Sequence, residues 1–254
     1  MFRPRVIPIL LLKDGKLVNS VLFKKYTYIG DPINAVRLFN DLMVDELVIL
    51  DISATKRGKS FSMELLHKLG DEAHMPFSVG GGINSIGVAR EIFSAGAEKI
   101  VLNTSAYLDK KLVQELASLY GSSSITVCLD IKRFLGKPKV YSHSKAVGFS
   151  KDPVIMASEM EKLGAGELIV NSVDNDGKMS GYDNNLIKAI SKATTLPIVA
   201  SGGGGSLADM VAAINAGASA VAASSLFVYH GPRKAVLINY PSREDRTHAF
   251  NLIK

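Results

Sequence analysis

Eight short runs of continuous apolar, β-favouring residues punctuate the chain: Val6–Leu12, Leu47–Ile52, Phe77–Val79, Lys99–Leu102, Ile125–Ile131, Leu168–Val173, Ile198–Ala200 and Ala220–Ala223. Between most of them the apolar positions switch to helical spacing, as in Pro32–Leu42, Ser85–Ala95, Lys110–Leu119, Pro153–Leu163, Asn184–Ala193 and Leu207–Ala216. A strand whose apolar residues do not alternate with polar ones is buried on both faces, the condition of a parallel sheet covered by helices. Eight such units in 254 residues, with no composition break or linker, predict a single closed (β/α)8 TIM barrel rather than an open sheet.

Two stretches interrupt the alternation. Lys13–Asp31 follows the first strand, and Lys132–Asp152 follows the fifth and reads as a hairpin around Gly136-Lys-Pro138. Both belong on the C-terminal face of a barrel, where long βα loops shape the site. A longer pattern divides the chain in two. A shift of 121 positions carries Glu46-Leu-Val-Ile49 onto Glu167-Leu-Ile-Val170, and Gly81 and Gly82 onto Gly202 and Gly203. The same shift carries Ala95-Gly-Ala97 onto Ala216-Gly-Ala218, and Asn103-Thr104 onto Ser224-Ser225. Solenoid repeats run only about 20–50 residues, so this period predicts two fused half-barrels. The barrel is expected over residues 1–228 and a tail over 229–254. After Phe227 the helical spacing fails, and the charged Ser242–Lys254 segment is expected to be loosely held.

Composition narrows the class. Apolar residues make up 47% of the chain, ample for a core, and no run is long enough to span a membrane. Val6–Leu12 reads as a strand rather than a signal peptide, since it runs into Lys13-Asp-Gly15 without a small-residue cleavage site. The single cysteine, Cys128, excludes a disulfide framework, fits a reducing cytoplasm, and reads as a buried inert thiol. The five histidines (His67, His74, His143, His230 and His248) lack metal-ligand spacing, so neither a metal nor a cofactor is expected. The net charge of +6 suits a phosphorylated small molecule or a solvated surface; no nucleic-acid motif accompanies it.

Candidate chemistry gathers at the C-terminal ends of the strands. Val79-Gly-Gly-Gly82 and Ser201-Gly-Gly-Gly-Gly205 each join a strand to a helix start, where glycine lets backbone N–H groups approach an anion. Gly81, Gly82, Asn103 and Thr104 form one candidate phosphate site; Gly202, Gly203, Ser224 and Ser225 form its twin. Asp176, in the turn-prone Asp174-Asn-Asp-Gly177, is grouped with them. Two such sites imply a ligand phosphorylated at both ends, although glycine at such turns also serves turn geometry alone. Asp130 ends an apolar strand and is the candidate general acid or base. The half-repeat predicts a partner acid near position 10 or 11, where Ile9-Leu-Leu-Leu12 stands instead.

In order along the chain, Lys13-Asp-Gly15, Gly30-Asp-Pro32, Asp45-Glu-Leu-Val48, Leu50-Asp-Ile52, Val79-Gly-Gly-Gly-Ile83, Gly164-Ala-Gly-Glu167, Gly181-Tyr-Asp183 and Ala200-Ser-Gly-Gly203 carry a resemblance. From Arg5 to about Val228 the chain resembles the cyclase subunit of imidazole glycerol phosphate synthase. That resemblance implies a barrel that binds a doubly phosphorylated ribonucleotide-derived substrate. It also implies a glutaminase subunit docked on the opposite end, whose ammonia crosses the barrel axis to two catalytic aspartates. One aspartate position is Asp130; the other is Leu11. The family's substrate-reaching lysine falls on Asn19, a threonine on Asn171 and a serine on Val101. If ring closure is retained, Asp14 or Asp176 would have to substitute for the missing acid. A ring of four charges that gates ammonia matches Arg5, Glu46, Lys99 and Glu167, and Glu98 stands where the family faces the glutaminase. The tail, which departs from the family's last helix, resembles a diverged branch associated with surface-polysaccharide sugars. In that branch a separate synthetase-like enzyme receives the ammonia. These matches predict ammonia delivery to an amino sugar, with the histidine-pathway cyclase as the alternative.

Overall fold

The computed structural model describes residues 3–142, 147–148, 151–251 and 253. Eight strands form the barrel: β1 (Arg5–Lys13), β2 (Leu47–Asp51), β3 (Phe77–Gly80), β4 (Lys99–Leu102), β5 (Ile125–Phe134), β6 (Glu167–Ser172), β7 (Ile198–Ser201) and β8 (Ala220–Ala223). Each pairs in parallel with its sequence neighbours, and Arg5 opposite Ala220 closes β8 onto β1. The (β/α)8 barrel read from the apolar pattern is the fold observed. Outside it lie α1 (Pro32–Asp41), α2 (Met63–Glu72), α3 (Ile86–Ser94), α4 (Lys110–Tyr120), α5 (Pro153–Lys162), α6 (Asn184–Ser191), α7 (Leu207–Asn215) and α8 (Arg243–Phe250).

Each of these helices starts on an aspartate or serine whose side chain accepts a backbone N–H of the first turn: Asp31, Ser62, Ser85, Asp109, Asp152, Asp183, Ser206 and Ser242. Such caps satisfy donors that the first turn leaves unpaired, so the sequence fixes where each helix begins. The parallel strands divide the core in two. One apolar layer fills the space between strands and helices, and a second fills the barrel interior with Ile7, Ile9, Leu11, Val48, Val101, Cys128, Ile169, Val199 and two alanines, Ala220 and Ala222.

Both insertions are β-ribbons at the C-terminal face. Lys16–Val21 turns back along β1, with Leu11 opposite Val18, and pairs in turn with Lys25–Gly30. Lys137–Ser142 folds back on β5, with Phe134 opposite Lys137, as the hairpin reading expects. Part of that insertion, residues 143–146 and 149–150, lies outside the described residues, and His143 with it.

The tail requires a correction over its described part: within the segment expected to be loosely held, Arg243–Phe250 forms α8, which packs beside α7 and buries Arg246 and Phe250, while residues 252 and 254 lie outside the described residues. A two-stranded excursion, Tyr229–His230 against Ala235–Val236, delays the eighth helix rather than replacing it. The sequence of α8 shows no apolar helical spacing, because its exposed face is polar and its few buried contacts are made with distant segments.

The helix α2 was also not picked out, since Gly70 breaks its apolar spacing. The structure gives that glycine a reason, because a Cβ there would collide with the carbonyl oxygen of Ala95. Helix propensity alone favours alanine by about 1 kcal/mol, whereas forcing atoms into a packed contact costs about 1–3 kcal/mol. Gly70→Ala is therefore expected to lower stability, by up to about 2 kcal/mol in a urea melt; a gain would show that the contact yields.

Candidate functional site

The barrel mouth is a cleft in which the tops of β5 and β6 present Asp130 and Asn171 and the tops of β1 and β2 present Leu11 and Leu50; Asn103, Asp176, Asp51, Ser20 and Tyr26 also line it. Strand register explains this division. Leu11 stands opposite Leu50 in β1–β2, and Asp130 stands opposite Asn171 in β5–β6. Because the half-repeat carries Leu50 onto Asn171, Leu11 occupies the half-barrel position equivalent to Asp130. The top pair of inward residues is thus polar in β5–β6 and apolar in β1–β2.

Asp130 is buried and held from two sides. It accepts from Asn171 Nδ2 at 2.7 Å and from Asn103 Nδ2 at 3.0 Å. Burial raises its carboxyl to about 6, against the opposing effect of those two amides. Asn103 also donates to the Cys128 carbonyl at 2.9 Å, so its amide serves the Asp130 network rather than the glycine turn. Tyr107, which the sequence did not single out, donates to the same carbonyl from its buried hydroxyl. The Cys128 thiol is pushed well up by burial and then by Asp130, consistent with an inert thiol.

Asp176 reaches the same cleft. It accepts from Ser20 Oγ at 2.9 Å and from the Phe23 N–H at 3.4 Å, which ties it to the β1 ribbon, and burial raises its carboxyl to about 6. Asp14, the other acid considered as a substitute, is exposed, pairs with Arg57 at 3.1 Å and lies outside the cleft. Asn19 is buried away from the cleft and accepts from Ser225 Oγ at 2.8 Å.

The two glycine turns lie on opposite sides of the mouth. Gly81 on one side and Gly202 and Gly203 on the other line the cleft with Thr104, Ser224 and Ser225, whereas Gly82 sits behind it. Gly81, Gly82, Gly202 and Gly203 all have positive φ, and a Cβ on any of them would strike a backbone carbonyl oxygen. Close backbone packing alone therefore requires glycine at these positions. Thr104 Oγ1 lies 3.2 Å from Ser142 Oγ. Asp51, at the end of β2, holds its own loop: it accepts from Ser53 and Ala54 N–H groups and pairs with Arg57 at 2.7 Å.

At the other end of the barrel the four charges meet. Arg5 bridges Glu46 and Glu167, and Lys99 Nζ lies 3.0 Å from Glu167 and 3.4 Å from Glu46. Ser78 Oγ donates to Glu46 at 3.0 Å. Burial pulls the Arg5 guanidinium down, but Glu167 and Glu46 outweigh it and hold the group above its ordinary value. Both carboxylates are nearly enclosed, so the alternating ring is what makes their burial tolerable. Above the ring, Thr126 Oγ1 is buried and finds no hydrogen-bond partner among the described residues. Glu98 is exposed on the same face.

A profile of the family described as histidine biosynthesis protein matches residues 5–232. A hisF2 protein of Pseudomonas aeruginosa, provisionally named an imidazole glycerol phosphate synthase subunit, is 43% identical over 243 residues, 95% of this chain and 97% of its own length. A Leptospira interrogans HisF subunit, also provisionally named, is 42% identical over 253 residues, 98% of this chain and 100% of its own. The imidazole glycerol phosphate synthase subunit HisF of Exiguobacterium sibiricum is 37% identical over 227 residues, 89% of this chain and 91% of its own. The chain belongs to the HisF-like cyclase-subunit family.

At the two positions where the resemblance implies aspartates, one is the buried Asp130 and the other is Leu11, packed in the interior cluster. Among the described residues no cluster of three or more His, Cys, Asp or Glu side chains is placed to hold a metal ion, and no helix is long and apolar enough to cross a membrane. The ties of Asp176 to Ser20 and Phe23 had no sequence signal, because more than 150 positions separate them.

The raised carboxyl has a consequence for stability. The folded state holds the Asp130 proton more tightly than the unfolded chain, so stability is highest below the ordinary aspartate value and falls as pH rises towards about 6. Asp130→Asn removes this penalty and leaves Asp176 unchanged. Its stability relative to the wild type is expected to rise by about 1–3 kcal/mol between about pH 4 and pH 6 and to level off above. Parallel urea melts across that range check it; a flat difference would mean that Asp130 is not raised.

Proposed function

We propose that this chain is the barrel subunit of a glutamine-dependent amidotransferase, receiving ammonia at the charged base and delivering it at the mouth to an acceptor other than the cyclase substrate. One observation carries the reading: the four-charge ring is complete and mutually paired, while the half-barrel mate of Asp130 is Leu11. A glutaminase would dock on the face that carries Arg5, Glu46, Lys99, Glu167 and Glu98. The interior above the ring, lined by Ile7, Val48, Ile169 and Val199 among others, disfavours a charged ammonium ion and suits neutral ammonia. Asp130, near 6, is poised to exchange a proton with nitrogen or acceptor at the mouth. The glycine turns and the Ser224 hydroxyl offer backbone and side-chain donors to a phosphorylated acceptor. The acceptor we favour is a nucleotide-activated or lipid-linked amino sugar of surface-polysaccharide synthesis, handled with a synthetase-like third protein.

A second reading has its own observation. Asp176 shares the cleft with Asp130 and is likewise raised to about 6, so the pair could serve cyclase acid–base chemistry without an acid at position 11. The names of relatives such as the Exiguobacterium sibiricum subunit favour it.

Ammonium salt in place of glutamine separates the two without a partner. Imidazole glycerol phosphate formation from the cyclase substrate is expected to be absent in the wild type and to appear in Leu11→Asp. Wild-type turnover abolished by Asp130→Asn would sink ammonia delivery to another acceptor and establish the cyclase. The gate is tested separately: in the complex with its glutaminase, Lys99→Ala is expected to cut the barrel's stimulation of glutamine hydrolysis about tenfold. Unchanged stimulation would remove the gate.

A further inference from the structure

The late eighth helix delivers two side chains to the base of the barrel. Tyr240, just before α8, packs its ring on Phe227 with centroids 5.5 Å apart. Its hydroxyl donates to the Val6 carbonyl at 2.8 Å and accepts from the Asp45 N–H at 3.3 Å. Arg246, in α8, is only 4% exposed; its guanidinium lies 4.6 Å from the centre of the Tyr240 ring and donates to Asp45 Oδ1 at 2.6 Å and to the Tyr240 hydroxyl at 3.1 Å. Asp45 in turn accepts from the Val6 N–H at 3.0 Å and pairs with Arg3 at 2.6 Å. Burial would raise the Asp45 carboxyl, but the Arg246 contact, the Val6 N–H and Arg3 together hold it below the usual range.

The two backbone segments gripped in this way are those of the ring. Val6 adjoins Arg5, and Asp45 adjoins Glu46. Arg5 and Glu46 lie at the starts of adjacent strands, before their first register pair, Ile9 opposite Val48. Below that pair no ladder contact between β1 and β2 is recorded, and the Asp45–Val6–Tyr240 contacts supply the link. A buried guanidinium is tolerable only when paired and hydrogen-bonded, and here its partners are the residues that set the spacing of the ring.

We propose that Tyr240 and Arg246 are positioning residues that hold the Arg5–Glu46–Lys99–Glu167 ring closed by clamping Val6 and Asp45. The inference rests on the gate reading for its functional meaning, but the clamp itself can be tested without a partner. Removing it lets the β1 and β2 starts shift, so the carboxylates release Lys99 part of the time. An amine enclosed between two carboxylates reacts slowly with electrophiles, because the approach to its nitrogen is blocked.

The test uses the full chain and reductive methylation with formaldehyde, followed by peptide mass spectrometry. The rate at Lys99 is taken relative to exposed Lys188 in the same molecule. Tyr240→Phe keeps the ring on Phe227 and deletes only the hydroxyl; Arg246→Met deletes the charge. Each is expected to raise the Lys99-to-Lys188 ratio about threefold or more, and Arg246→Lys to bring it back towards the wild-type value. General loosening would also raise the ratio for a second carboxylate-paired, half-buried amine, Lys151 on Glu159, whereas loss of the clamp raises Lys99 alone. An unchanged ratio in Tyr240→Phe overturns the clamp, even if Arg246→Met fails to fold. Lys99→Ala in the glutaminase complex judges the gate independently. Raised reactivity with an intact glutaminase response would leave a clamped ring that is no gate, while the reverse result would sink the clamp and spare the gate.

Discussion

Closing eight parallel strands into a ring sends every second residue of each strand into one narrow interior, where there is no room for unpaired charge. Arg5, Glu46, Lys99 and Glu167 all fall on that inward side at the strand starts. They are tolerated only because each cation lies between two carboxylates and each carboxylate between two cations. One layer up the interior turns apolar, and at the mouth it becomes polar again, with Asp130 and Asn171 inward on β5 and β6 but Leu11 and Leu50 on β1 and β2. The barrel axis is therefore a stack of three chemically distinct layers, set by the inward alternation of the strands.

The asymmetry of the mouth carries the functional argument. In β5 and β6 the inward residues at the top are Asp130 and Asn171, whose amide donors can hold a buried carboxylate. In β1 and β2 the equivalent residues are Leu11 and Leu50, which offer neither acid nor donor. Of the two similar halves, one therefore carries a buried carboxylate at this level and the other a leucine pair. The base shows no such division: Glu46 and Glu167 both remain, and both are paired.

The tail belongs to the base in structure if not in sequence order. Tyr240 and Arg246 reach across more than 190 positions to Asp45 and Val6, which makes residues after the barrel part of its charged end. A segment read as charged and loose is anchored by one nearly enclosed guanidinium.

The strands, most of the helices, the half-repeat, Asp130, Leu11 and the identity of the four ring charges were legible in the sequence. Local signals write the strands, helices and half-repeat, through unbroken apolar runs, 3.6-residue spacing and matched positions 121 apart, whereas the ring charges came from the family resemblance. Tertiary structure alone decided the rest. It turned Asn103 towards Asp130 rather than a glycine turn, brought Asp176 but not Asp14 into the cleft, and docked α8 through Arg246. Each of those outcomes is a contact between side chains far apart along the chain, and periodicity and spacing carry no information about which distant polar groups will share one buried volume.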